Sequence, residues 1–191
     1  DQLFAHSVFE DVAFGPRNMG FSEDEVAKRV ATALAQVEME GAGTRNIHAL
    51  SYGQKKRVCI AGLLAMGHEI LLLDEPTAGL DPAGEQKMVK LLASLNQEHG
   101  VTIVMATHAV DLIPIFVKRL AILDKGRLVA QGSPEELFTD PASMERVRLR
   151  LPHVAELFWL LGHEDGMEIG RMPLSIGDAR REMVRFTETR R

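Results

Sequence analysis

The chain has 191 residues, 46% hydrophobic and 26% charged, which is enough for a real core and for one domain or a large part of one. Its net charge of −5 gives no basic footprint for nucleic acid, and its single cysteine, Cys59, excludes an internal disulfide framework and fits a reducing compartment. No apolar run is long enough to cross a bilayer. The opening "DQLFAHSVFEDV" has no initiator Met and no basic n-region, so it is expected to be the cut edge of a longer chain.

Residues 1–65 are mainly helical by pattern. "FSEDEVAKRVATALAQV" carries a capping box, with Ser22 as N-cap and Glu25 three residues later. Val26, Val30, Ala33, Leu34 and Val37 keep a helical apolar stripe behind it. "GAGTRN" is a loop, and "QKKRVCIAGLLAM" restarts a helix after Gly53. The period then changes. "EILLLDEP" is a short apolar run ending in acids, the pattern of a buried parallel strand. "LDPAGEQKMVKLLASLNQEHG" is a helix, capped by Asp81, with Pro82 first and Met88, Leu91, Leu92 and Leu95 facing inward. "VTIVMATH" is a second buried strand. After a short helix, "RLAILDKG" and "RLVAQG" form a hairpin turning at Asp124–Lys125–Gly126. "SPEELF" opens another helix on Ser133 and Pro134. "HVAELFWLLG" has the pattern of an amphipathic helix, and "GDARREMVRFTETRR" is a helix or a loose tail.

Strand–helix–strand order predicts an α/β fold with a parallel sheet. The expected division is a helical region over 1–65, the second half of an α/β core over 66–140, and an extension or tail over 141–191.

Three segments carry chemistry. The strand "ILLLDEP" places Asp74 and Glu75 at the C-terminal edge of a parallel sheet, where ligands bind in open α/β folds. Asp74 suits Mg²⁺, a hard cation that wants oxygen ligands. Glu75, expected to point away from its neighbour because side chains alternate along a strand, suits a general base that takes the attacking water. Solvated acids at a strand end are the plain alternative. "TIVMATH" brings His108 to the same edge, where a histidine can bind a γ-phosphate or orient the water. The other histidines lack such a setting. In "LSYGQKKR", Ser51 is a good N-cap, and Gly53 lets backbone approach a ligand. The helix start then offers free N–H groups to an anion, and Lys55, Lys56 and Arg57 add positive charge. Alone, this stretch would be an ordinary capped helix.

Together these pieces resemble the ATP-binding subunits of ABC transporters. "LSYGQ" is similar to the family's signature motif, usually LSGGQ, with Tyr52 in place of a Gly. "ILLLDEP" resembles Walker B with its catalytic Glu75, "AGLDP" the D-loop, His108 the switch histidine, and Gln2 the Q-loop glutamine. The resemblance covers roughly residues 1–138. "SVFEDVAFGPRNMG", "LSYGQKKRV" and "LDKGRLVAQGSPEELF" narrow it to the energy-coupling-factor type, close to cobalt-transport ATPases.

The resemblance implies a P-loop NTPase core and ATP with Mg²⁺ as ligands. It makes Glu75 and His108 catalytic, Ser51, Gly53, Gln54 and Asp81 nucleotide-binding, and Gln2 and Asp74 metal contacts. It implies a second ATPase subunit facing head to tail, as homo- or heterodimer. It also implies a transmembrane coupling subunit docked on the helical region around Leu3–Arg17, and a peripheral place on the cytoplasmic face of the membrane. "LFAHSVFEDVAF" is equally suited to core packing. The expected activity is ATP hydrolysis driving import of cobalt, another transition-metal ion or a vitamin. One departure stands out: no G-x-x-x-x-G-K-[ST] loop occurs in these 191 residues. A chain shortened before the Q-loop, or a split reading frame, is the expected cause. The alternative function is a fragment that binds a partner subunit without turning over ATP. A soluble ABC ATPase of translation or DNA repair fits less well with the acidic charge and the single short helical insert.

Overall fold

The computed structural model describes residues 3–139 and 141–189. Gln2 lies outside them. The contacts divide the chain into two compact units, 1–107 and 108–191.

The first unit contains α1 (Val8–Asn18), α2 (Glu23–Gln36), a 3₁₀ turn (Ile47–Ala49), α3 (Tyr52–Ala65), β1 (Ile70–Asp74), α4 (Pro82–Gln97) and β2 (Thr102–Ala106). One apolar cluster runs through all of it, from Val8 and Val12 on α1 to Leu91, Leu92 and Leu95 on α4. That shared core is why helical and strand regions form one body. The predicted faces of α2 and α4 are buried as expected. Each Val, Leu or Met on those faces contributes about 1.5–3 kcal/mol by leaving water.

β1 and β2 pair in parallel, from Ile70 opposite Thr102 to Asp74 opposite Ala106. They were expected to be buried strands. Instead Leu71 is 1% exposed, while Ile70, Leu72 and Val104 are 61%, 75% and 51% exposed. A two-stranded sheet with helices on one side buries one face only, so the alternate residues stand in solvent.

Local capping rules decide the helix starts. Ser22 caps α2 by accepting from Glu25 N–H. The reciprocal half of that box does not form, because the Glu25 carboxylate pairs with Arg29 at 2.8 Å, one turn on. Asp81 caps α4, accepting from Gly84 N–H at 2.7 Å, and Pro82 follows in the first turn.

The second unit contains α5 (Ile113–Phe116), β3 (Leu120–Asp124), β4 (Arg127–Gly132), α6 (Pro134–Leu137), α7 (Pro141–Arg146), α8 (His153–His163) and α9 (Ile176–Thr189). β3 and β4 form the expected hairpin. Its turn residues Lys125 and Gly126 both have positive φ, 49° and 75°. That is the mirror-image turn whose twist matches paired strands. Phe138, Leu151, Ala155 and Ile122 lie in this unit's own core. The last charged stretch is a helix, started by Ser175 Oγ, which accepts from Asp178 N–H at 3.2 Å.

Candidate functional site

The parallel register brings the ends of β1 and β2 level, so the site grows from one sheet edge. Asp74 is the last residue of β1 and is exposed. Glu75 comes next and is half-buried. Its N–H still donates to Ala106 O at 2.9 Å. The chain then leaves the strand sharply, because Glu75 has φ 45°. Glu75 thus lies past the strand in a left-handed turn, outside the strand alternation expected to include it. A non-glycine residue in that region costs about 1–3 kcal/mol and persists only where its surroundings determine it.

The surroundings are specific. The Glu75 carbonyl accepts from Ala78 N–H at 3.2 Å. It also accepts from Lys56 Nζ at 2.9 Å. Thr107 Oγ1, just past β2, donates to Glu75 Oε2 at 3.3 Å. Partial burial lowers the Lys56 ammonium's pKa, and the Glu75 charge opposes that shift. Lys56 was read from the sequence as extra charge at a helix start. Its ammonium is instead turned onto a backbone carbonyl 19 residues along the chain. No sequence signal pointed to that contact. His108 opens the second unit, beyond the Thr107 boundary.

The second part of the site lies at the start of α3. Ser51 and Gln54 form a full capping box: Gln54 N–H donates to Ser51 Oγ at 3.3 Å, and Ser51 N–H donates to Gln54 Oε1 at 3.0 Å. The helix begins at Tyr52, so Gly53 is already helical. A Cβ on Gly53 would meet Leu80 Cδ2 at 3.4 Å, an ordinary contact distance, so α3 lies close against the loop before α4 here. The two segments line one open cleft of about 430 Å³, which brings together Ser51, Gly53, Gln54, Gly79, Asp81 and Lys87. Two capped helix ends, those of α3 and α4, thus border a concave surface, a setting that favours anions. One Asp81 oxygen is occupied by its cap bond. Lys87 and Tyr52 also line the cleft, and sequence reasoning had given neither a role there.

A parallel strand edge bearing adjacent acids, together with a capped helix start of this sequence, defines the second half of a P-loop nucleoside triphosphatase core. The family model "ABC transporter" matches residues 1–78. The whole chain is 66% identical to an ABC transporter ATP-binding protein of Geobacter sulfurreducens and covers 68% of it. It is 48% identical, over 97% of its length, to the energy-coupling factor transporter ATP-binding protein EcfA of Methanococcus maripaludis, covering 66% of that protein. The structure of cbiO1 from Clostridium perfringens, part of the ABC transporter complex cbiONQ, matches at TM-score 0.69 and 45% identity, over 83% of this chain and 63% of that one. The chain therefore belongs to the ATP-binding subunits of ABC transporters, of the energy-coupling-factor, CbiO-like type. It spans about two thirds of the length of these relatives.

Proposed function

We propose that this chain is part of the ATP-hydrolysing motor of an energy-coupling-factor importer, with Glu75 as general base. The observation that carries this is the setting of Glu75: half-buried, past the end of β1, and held by Ala106, Lys56 and Thr107. A base must be held within hydrogen-bond reach of the water it deprotonates, and fixed backbone on both sides of Glu75 supplies that constraint. By the family resemblance, the role proposed for His108 is that of the switch histidine, a partner of the γ-phosphate.

Mg²⁺ fits the exposed carboxylate of Asp74. This ion is commonly held by one or two protein carboxylates plus substrate phosphates, and among the described residues no larger cluster of acids, His or Cys stands ready for a metal. When bound, Mg²⁺ neutralises charge on the phosphates. The residues of this chain position it and hold the base.

Ser51, Gly53 and Gln54 line the cleft at a helix start, and Glu75 is not among the residues lining it. In a head-to-tail dimer they cap the nucleotide of the partner subunit, and Asp81 lies beside them. The α1 region receives a transmembrane coupling subunit. Val8, Val12 and Ala13 of that region are core, whereas Phe4 and Phe14, packed edge to face at 4.7 Å, are exposed. Among the described residues no helix is long and apolar enough to span a membrane. The attachment proposed is peripheral, through that partner at the cytoplasmic face. The cargo proposed is cobalt or another transition-metal ion.

The test is MgATP hydrolysis by the complete subunit and its Glu75→Gln variant. Loss of turnover with retained nucleotide binding supports the reading. Turnover that survives the substitution removes Glu75 from the role.

A further inference from the structure

We propose that Lys56 is a positioning residue for Glu75: its ammonium holds the Glu75 carbonyl and so fixes the turn that aims the Glu75 carboxylate. This rests on the reading of Glu75 as the base.

The turn at Glu75 has φ 45°, a conformation that a side-chain-bearing residue adopts only when held there. Two of its restraints come from nearby main chain, Ala106 O on its N–H and Ala78 N–H on its carbonyl. A further one comes from outside the strand pair, from Lys56 Nζ at 2.9 Å, while Thr107 Oγ1 holds the carboxylate itself at Oε2. Lys56 lies on α3, the helix that begins with the Ser51–Gln54 capping box. The same side chain thus ties that helix start to the residue bearing the base.

The path of Lys56 is itself set by neighbours. Its Nζ lies 5.2 Å from the centroid of the Tyr52 ring, a cation–π distance. Gly79 also lies against that ring: a Cβ there would stand 3.1 Å from Tyr52 Cε1. Gly79 also has φ 76°, so a side chain is disfavoured there on both counts. The ring, the ammonium and the bare glycine form one packed series from α3 to the loop after Glu75. A partly buried charge spent on a backbone carbonyl is an uneconomical fastener for a loop that only needs to pack, since an apolar side chain of equal length would fill the space. It suits a loop whose exact aim matters.

The experiment compares wild type, Lys56→Met, Lys56→Arg and Glu75→Gln in the complete subunit. Steady-state MgATP hydrolysis and amide hydrogen exchange over residues 75–80 are both measured. Lys56→Met keeps the length and removes the donor. It is expected to lower kcat by about ten- to a hundredfold with KM changed by less than about twofold, as for a misaimed group that does not bind substrate. Exchange at Ala78 and Leu80 should quicken by about tenfold, while the β1 amides keep their protection. Lys56→Arg, which retains a donor, should restore most of the lost kcat. Unchanged exchange over 75–80 in Lys56→Met overturns the proposal. So does unchanged kcat with quickened exchange, an effect confined to KM, or an equal loss in the Met and Arg variants. If Glu75→Gln keeps turnover, the base reading fails by itself, and the exchange measurement still decides whether Lys56 holds the turn.

Discussion

Replacing Gly79 by Ala tests the packing that joins the start of α3 to the loop before α4. Two costs are separable. Gly79 has φ 76°, and a Cβ in that region costs about 1 kcal/mol. The new methyl would also stand 3.1 Å from Tyr52 Cε1. The ring must then move by a few tenths of an ångström, and this overpacking costs about another 1 kcal/mol. Gly67→Ala is the control, because its φ is similar, 83°, and its nearest neighbour is the flexible end of Arg29 at 3.4 Å. The assay is native-state hydrogen exchange of the β1 amides, which reports opening of the first unit itself. Protection should fall about thirtyfold in Gly79→Ala and about fivefold in Gly67→Ala. In a Tyr52→Ala background, Gly79→Ala should cost only the backbone share, a coupling of about 1 kcal/mol. Equal effects at Gly67 and Gly79, or no coupling with Tyr52, would refute the packing account.

Leu95, 0% exposed in the first core, should cost about 2–5 kcal/mol when cut to Ala, measured by the same exchange. A loss below about 1 kcal/mol would mean that the core is assembled differently. In the second unit, Asp111 accepts from the two terminal Arg150 guanidinium nitrogens and from the His153 backbone N–H, with His153 Nδ1 also beside it and Glu156 near Arg150. Burial pushes the Asp111 carboxyl up, but Arg150 and His153 more than offset it, so it stays below its usual 3.8. A carboxylate depressed by folding contributes stability above its unfolded pKa and loses it as pH falls through the folded one. The second unit should thus weaken as pH drops below about 4, and Asp111→Asn should flatten that dependence. Urea unfolding followed by Trp159, the only tryptophan, measures it.

What could be read beforehand was what local rules decide. Ser51, Asp81 and Ser133 were legible as caps because each partner lies three residues away and the bond depends on nothing else. The hairpin at Lys125–Gly126 was legible for the same reason. Ser22 shows where the rule stops, since Glu25 had a competing arginine one turn on. Strand burial was overread: an apolar run says that a strand can be covered, not how many neighbours cover it. Glu75 was placed at the right sheet edge, but β1 ends one residue before it and its backbone turns left-handed there, which alternation along a strand does not foretell. Lys56 was out of reach. Its role depends on a contact between a helix and a loop 19 residues apart, and in the sequence it is one more charge in "QKKR".

The central claim is that Glu75 is the base of a nucleotide-hydrolysing site. Single-turnover hydrolysis of MgATP by the complete subunit, wild type against Glu75→Gln, tests it most directly. The account predicts that the variant binds MgATP as tightly as wild type and loses at least about a hundredfold in the hydrolytic step. Hydrolysis by the variant within about threefold of wild type would contradict it.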